Sequence, residues 1–275
     1  AEALRNLARA EDATMFMALL AGFQILLARY AGHGDISVGT PSANRNREEL
    51  ETIIGFFVNV LVIRSDLSGN PSFRQLLQQV RKTCIDAYDN QDVPFDKLVE
   101  VLNPQRDLSG QPLFQTMFVY ELAKRGPMEL PGIKWEHRSA EMETANFDLL
   151  LVAKEFEDDI TCTLQYNSDL FEPLTIERMC QHLSLLFKRI AALPDRHLST
   201  ISMLSEEERH QVIFGWNNTH APAAKDRCIH DLIAEHADKE PDALSLWFEG
   251  QELSRRDLDK RANRLANRLL SLGCG

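Results

Sequence analysis

Three short stretches of this 275-residue chain place polar side chains where packing alone gives no reason for them. In Ile54-Gly55-Phe56-Phe57-Val58-Asn59-Val60 a glycine leads into an apolar, β-branched run that contains one carboxamide. A buried amide without partners costs about 1–3 kcal/mol, so Asn59 needs either a hydrogen-bonding partner or a ligand. The second stretch, Asn90-Gln91-Asp92-Val93-Pro94-Phe95-Asp96, reads by itself as a polar turn between two helices, with Pro94 opening the second. The third runs from Arg106-Asp107-Leu108-Ser109 through Gly110-Gln111-Pro112-Leu113-Phe114-Gln115 and reads as a loop with an ion pair leading into a strand.

The familiar catalytic patterns are not in the sequence: it has no GxSxG elbow, P-loop, GxGxxG, HExxH or EF-hand loop. None of the eight histidines has a histidine beside it or an aspartate four residues on. The nearest approaches, His137 with Glu141 and His236 with Glu240, read as ordinary, partly exposed histidines. Five cysteines (Cys84, Cys162, Cys180, Cys228, Cys274) form no CxxC pair, which suggests neither a disulfide framework nor a zinc site and fits a reducing, cytoplasmic setting. They read as small buried hydrophobes, with Cys84 and Cys180 inside helical apolar stripes, and no metal is expected.

Thirty Lys plus Arg against 41 Asp plus Glu give a net charge of −11, which repels phosphate backbones and anionic lipid, so neither nucleic acid nor a membrane is an expected partner. The run Arg255, Arg256, Lys260, Arg261, Arg264, Arg268 reads as a solvated helix face, because Asp257 and Asp259 interleave with it. Residues 13–28 are the longest uncharged run and fall short of the roughly 20 that cross a bilayer.

A hydrophobic share of 44% with 26% charged residues is ordinary globular usage and excludes wholesale disorder, and the length suits one large domain or two smaller ones. Apolar residues on nearly every face predict a core helix over 14–30. A strand is expected over 36–40 and another over 57–64, where Asn59 shares a face with Phe57, Leu61 and Ile63. Asn70-Pro71 is expected to start an amphipathic helix striped by Phe73, Leu76, Leu77, Val80, Cys84, Ile85 and Tyr88. A strand over 113–120, a hairpin of 147–156 with 160–166 turning at Glu157-Asp158-Asp159, and a helix over 173–193 complete the first part. Ser205-Glu206-Glu207-Glu208 is a capping-box pattern, and the polar segment around Pro222 is the best linker. Helices over 228–237 and 255–272 then flank a strand at 244–248 and a Glu249-Gly250 turn.

In order and spacing, the three polar stretches resemble the last three signature motifs of the condensation domain of nonribosomal peptide synthetases. The strand motif, Gly-x-Phe-Val-Asn followed by an Arg, is matched by Gly55, Phe57, Val58, Asn59 and Arg64, and the next, His/Asn-Gln-Asp-x-Pro-Phe, by Asn90 to Phe95. Arg106, Asp107, Ser109, Pro112, Leu113, Phe114 and Gln115 match the third, with Gln111 where Asn is common. Gly39-Thr40-Pro41 and Asn44-Arg45 resemble the segment upstream, and Trp216-Asn217-Asn218-Thr219 the family's linker. Leu253-Ser254 through Leu258 resembles the first adenylation motif, with Arg255 where Tyr is usual.

The resemblance implies an α+β fold in which residues 1–215 form the C-terminal, chloramphenicol-acetyltransferase-like lobe of a condensation domain, a mixed sheet flanked by helices. Residues 216–227 would be the linker and 228–275 the truncated α/β start of an adenylation domain. Members carry a His-His-x-x-x-Asp-Gly motif that this chain lacks, so the resemblance implies a sequence cut at both ends, with no catalytic residue of its own and no activity alone. The family joins acyl and amino groups on two carrier-protein phosphopantetheine arms that meet in a tunnel between two lobes. Gly55, Asn59 and Ser109 are then candidate tunnel residues, Asn59 near the reacting centre and Ser109 on the donor side. Phe57, Val58, Arg64, Asn90, Gln91, Asp92, Pro94, Phe95, Arg106, Asp107, Pro112, Phe114 and Gln115 carry structural roles. The implied partners are carrier domains and the missing N-terminal lobe; no cofactor is held by this chain, while the parent implies phosphopantetheine and ATP with magnesium. The alternative is a non-catalytic module that docks carriers, which an upstream reading frame without the His-His motif would favour.

Overall fold

The computed structural model describes residues 1–104, 112–122, 146–157, 159–219 and 228–274. Arg106, Asp107 and Ser109, with Gln111, the His137–Glu141 pair, Asp158, His220 and linker residues 220–227, lie outside the described residues. Contacts divide the chain into two units, Ala1–Ile213 and Phe214–Gly275.

The first unit is assembled around α2 (Met15–Ala31), capped by Thr14 and ended by Gly32 in the left-handed conformation that suits a residue without a Cβ. Its residues from Met17 to Leu27 are all buried, as the all-round apolar pattern requires. Before it comes α1 (Glu2–Ala10), a helix that the sequence pattern did not lead us to expect; Leu4, Leu7 and Ala8 turn it toward the core. Among the described residues no single helix is long and apolar enough to cross a membrane.

The sheet is mixed, in the order β2-β1-β3-β4-β5. Strand β1 (Asp35–Ser42) runs antiparallel to β2 (Asn59–Asp66) in a register that sets Ser42 opposite Asn59. It meets β3 (Thr116–Leu122) in parallel only at Gly39–Met117; β3 pairs with β4 (Leu149–Glu155) in parallel, and β4 with β5 (Ile160–Tyr166) antiparallel. Ile36, Val38, Leu61, Ile63, Phe118, Leu149, Leu151 and Ala153 share one buried cluster with α1, α2, α4 (Phe73–Asp89) and α6 (Pro173–Ala192). Period-two strands present one apolar face and period-3.6 helices one stripe, and here the two meet. Gln24 is fully buried at that junction, where its amide donates to the Ile63 carbonyl (3.2 Å) and accepts from the Ser65 hydroxyl (2.9 Å), so its polar atoms are matched.

Several boundaries differ from the sequence expectation for local reasons. Ser72, not Asn70, caps α4, because Ser72 and Gln75 form the reciprocal capping box. Pro71 therefore lies outside the helix, where its carbonyl accepts from Leu198 N–H. Strand β2 begins at Asn59 rather than at 57, and β3 at Thr116 rather than at 113, since Leu113 takes a positive φ that turns Phe114 out of strand geometry. Of the cysteines only Cys84 is buried and Cys162, Cys180, Cys228 and Cys274 are exposed; Cys180 is left outside because the stripe of α6 that enters the core runs through Ile176, Met179, Leu183, Leu186 and Ile190.

In the second unit α8 (Ile229–Lys239), the antiparallel pair β6 (Leu244–Phe248) and β7 (Gln251–Ser254), and α9 (Arg255–Ser271) follow the expected order. Arg255 and Arg256 pair with Glu240 and Asp242, as a solvated face would. The unit leaves Trp247, Phe248, Leu265 and Leu270 exposed, which suits its small size: short segments bury too little to close a core.

Arg5 and Tyr120 both bond Glu155, which ties α1 to the sheet. Burial would raise the Glu155 carboxyl, but the hydrogen bonds from Tyr120 and Arg5 outweigh it and hold its pKa below the ordinary value. Glu155 therefore contributes stability above the normal carboxylate range and loses it as pH falls through the depressed folded value. Urea melts of wild type and Glu155→Gln are expected to converge as pH falls from about 4.3, the ordinary glutamate value, down through the depressed folded value. A stability gap that stays constant down to pH 2 would contradict this assignment.

Candidate functional site

The two polar stretches within the described residues meet at the end of the β1–β2 ladder. Asn59 leaves none of its carboxamide atoms idle: Nδ2 donates to the carbonyls of Gln91 (2.8 Å) and Val93 (2.7 Å), and Oδ1 accepts from Phe95 N–H (3.1 Å). Phe95 is the first residue of α5 (Phe95–Leu102), whose N-cap position is taken by Pro94, a residue with no side chain to cap. Asn59 thus supplies from a strand the cap that Pro94 cannot. Asn90 closes the preceding helix, donating to the Asp86 carbonyl (2.8 Å).

The loop between β1 and β2, which contains the single turn α3 (Glu48–Glu51), is bound into the same assembly. Ser42, across from Asn59, donates to Gln91 Oε1 (2.6 Å), and Asn46 donates to Asp92 (3.0 Å). Arg45 donates to the carbonyls of Leu50, Ile53 (2.9 Å) and Gly55 (3.2 Å), and its guanidinium lies 4.4 Å from the centre of the Phe57 ring. These bonds draw residues 50–57 away from strand pairing, which explains the late start of β2. A Cβ on Gly55 would stand 3.1 Å from that same ring, so the close approach favours glycine.

The third stretch contributes its described end. Phe114 is buried on Gly39, where any Cβ would collide with the ring, and it packs edge-on against Phe95 (5.7 Å) and stacks on Phe147 (5.8 Å). Asp148 N–H donates to the Gln115 carbonyl (3.1 Å), which starts the β3–β4 pairing. Arg64, the last residue of the strand motif, makes a two-pronged, exposed pair with Asp35, both bonds at 2.7 Å. Outward from this framework, Ile54 and Phe56 are almost wholly exposed and Ile53 and Val58 partly so. The arrangement is a polar latch that presents an apolar ribbon.

The Condensation domain family profile matches residues 1–213. The chain belongs to the condensation-domain family. Over 98% of its length this condensation-domain chain is 44% identical to one of the linear gramicidin synthase proteins of Brevibacillus parabrevis, and over 99% it is 41% identical to surfactin synthase subunit 1 of Bacillus subtilis (strain 168). It spans only 4% and 8% of those proteins. Among solved structures it is similar to a four-domain nonribosomal peptide synthetase bound to AMP and glycine (TM-score 0.75, 24% identity, 98% of this chain and 22% of that one). It is also similar to the X-domain from teicoplanin biosynthesis (TM-score 0.66, 27% identity, 74% of this chain and 47% of that one). The fold is therefore the α+β, chloramphenicol-acetyltransferase-like one, a mixed sheet flanked by helices.

Sequence reasoning did not single out Ser42 and Asn46, and Arg45 entered only through the family resemblance. Ser42 becomes visible once the β1–β2 register is known, because it is then the residue facing Asn59. Asn59→Ala is expected to cost about 2 kcal/mol in urea unfolding, for the loss of a partly buried three-bond bridge. Asn59→Asp should cost at least as much, since a carboxylate oxygen would face two carbonyl oxygens. A chain that tolerates Asp better than Ala would show that the Gln91 and Val93 carbonyls are not what Asn59 holds.

Proposed function

We propose that residues 1–213 are one lobe of a nonribosomal peptide synthetase condensation domain, forming a wall of the tunnel in which two carrier-borne substrates are joined. The observation that carries this reading is the convergence of the strand motif, the Asn90–Phe95 motif and Phe114 on one latch behind an exposed apolar ribbon. A ribbon of this kind exposed in water suits a surface that another polypeptide covers. The length relation supports the reading too, since the matched part of the chain accounts for about half (47%) of the X-domain structure.

The reaction is aminolysis of a thioester. The amine nitrogen of the acceptor attacks the thioester carbonyl carbon of the donor, the C–S bond breaks, and the thiol leaves with the proton that the amine gives up. A thioester is already activated, so much of the acceleration can come from aligning two tethered reactants and excluding water. The part of this lobe is positioning. Asn59 keeps the latch in place rather than touching the reacting atoms, and the latch keeps the ribbon in place. The histidine that handles the amine proton would come from the other lobe, and the phosphopantetheine arms arrive with the carriers as part of the substrates.

The second unit is read as the beginning of an adenylation domain, supported by alignments to the synthetases that run past residue 213 over nearly the whole chain. The cavity lined by Ile233, His236, Ala237, Ser245, Arg255 and Leu258 is about 260 Å³, below the roughly 300–1,000 Å³ of ligand pockets, which favours a nucleotide site elsewhere in the parent. ATP with magnesium would be used beyond these residues, in a cytoplasmic enzyme.

The test is made in the complete parent synthetase. Asn59→Ala is expected to lower condensation about 10- to 100-fold, read by mass spectrometry of the carrier-bound product, through misplacement of aligned reactants. Amino-acid-dependent ATP–pyrophosphate exchange should be unchanged. Unaltered condensation would remove the latch from the reaction site.

A further inference from the structure

Between α6 and the second unit the chain does not leave the first unit directly. Residues 194–208 run back across it and are held at each step. Leu198 N–H donates to the Pro71 carbonyl (2.9 Å), and Arg74 N–H donates to the Pro194 carbonyl (3.1 Å). Asn70, in a left-handed turn, both accepts from Ser199 N–H (2.8 Å) and donates to the Ser199 hydroxyl (2.8 Å). From α2, Arg29 donates to the carbonyls of Leu198 and Ile201; from α6, Arg189 donates to those of Ser202 (2.7 Å) and Leu204 (2.9 Å). Beneath these bonds Leu198 and Ile201 are buried in the core cluster.

The far end is fixed by a buried histidine. His182 of α6 lies with Nδ1 2.8 Å from the Tyr30 hydroxyl of α2 and Nε2 3.1 Å from Glu208. Glu208 belongs to the short helix α7 (Glu206–His210) and completes its capping box, accepting from Ser205 N–H (2.7 Å). A relay of this kind could be mistaken for catalytic machinery, but its bonds join three helices, and only its Tyr30 end reaches a cavity, one of about 790 Å³ shared with His33 and Met179.

Two arginines spent on four main-chain carbonyls hold the path of the backbone and not any one side chain of the segment, and charged donors make such bonds the stronger kind. We infer that residues 194–208 are a strap built into the first unit, fixing where the chain departs for the second, with Arg189 and Asn70 as its positioning residues. The inference rests on these contacts and is independent of the peptide-synthetase reading.

Deuterium exchange on the whole chain tests it. Peptides covering 197–208 should be protected in wild type, and Arg189→Met should speed their exchange about tenfold or more while peptides of α2 and β4 stay unchanged. Lys97→Met, which removes an exposed ion pair with Glu100 within α5, serves as the control and should leave 197–208 unaffected. If Arg189→Met fails to fold, Asn70→Gly, which keeps the left-handed turn, must still speed exchange at Leu198 and Ser199. Wild-type exchange across 197–208 at the rate of free backbone, or protection that survives in every folded variant, overturns the inference.

Discussion

One carboxamide joins the parts of the first unit that lie outside its core. Helix α5 begins with a proline at its cap and has no side chain in the turn before it to satisfy its first amide. Asn59 satisfies that amide from the end of β2 and takes two carbonyls of the same turn, so strand, turn and helix are fixed as one piece. Polar atoms in a partly dry environment enforce geometry because the alternatives leave them unpaired. The requirement recognised for Asn59 in the sequence, a partner or a ligand, is met by partners.

This shifts the weight of the chemistry. With both Nδ2 hydrogens given to carbonyls, Asn59 has no donor left for a negative charge, which favours a role in holding its surroundings in place. Arg45 acts in the same way, binding three carbonyls and lying on Phe57, so that the loop turns Ile54 and Phe56 outward as a rigid feature. The strap over 194–208 repeats the device on another part of the unit, with arginines again holding carbonyls. In the proposed reading, a lobe that positions tethered reactants needs stiffness at its edges more than reactive groups, and these bonds are suited to that.

The fold was legible where one period governs. The all-round apolar pattern of α2, the stripe of α4 from Phe73 to Cys84, the β4–β5 hairpin and the Ser205 capping box lie where the sequence places them, because local pattern and burial agree there, while Ile85 and Tyr88 at the end of that stripe stay exposed. It was illegible where distant residues decide. The start of β2 depends on Arg45 withdrawing the preceding residues from pairing, whereas the cap of α4 was missed for a local reason, the Ser72–Gln75 box lying two residues past Asn70. Cys180 sits one position beyond Met179, which enters the core, and a periodicity argument on a long amphipathic helix separates such neighbours poorly. At the site, Asn59, Gln91 and Asp92 stood out by type, but the hydrogen bonds that unite them run between segments some thirty or more residues apart, and Ser42 and Asn46 needed the strand register to be seen at all.

The central claim is that this chain is a positioning lobe whose reaction requires a second polypeptide segment across the exposed ribbon. Co-expression with a separately encoded N-terminal condensation lobe from the same parent, followed by assay of amide formation between loaded carriers, tests it most directly. The account predicts product when the two lobes are combined and none from either alone. Turnover by this chain without its counterpart, or two folded lobes that neither associate nor yield product together, would contradict it.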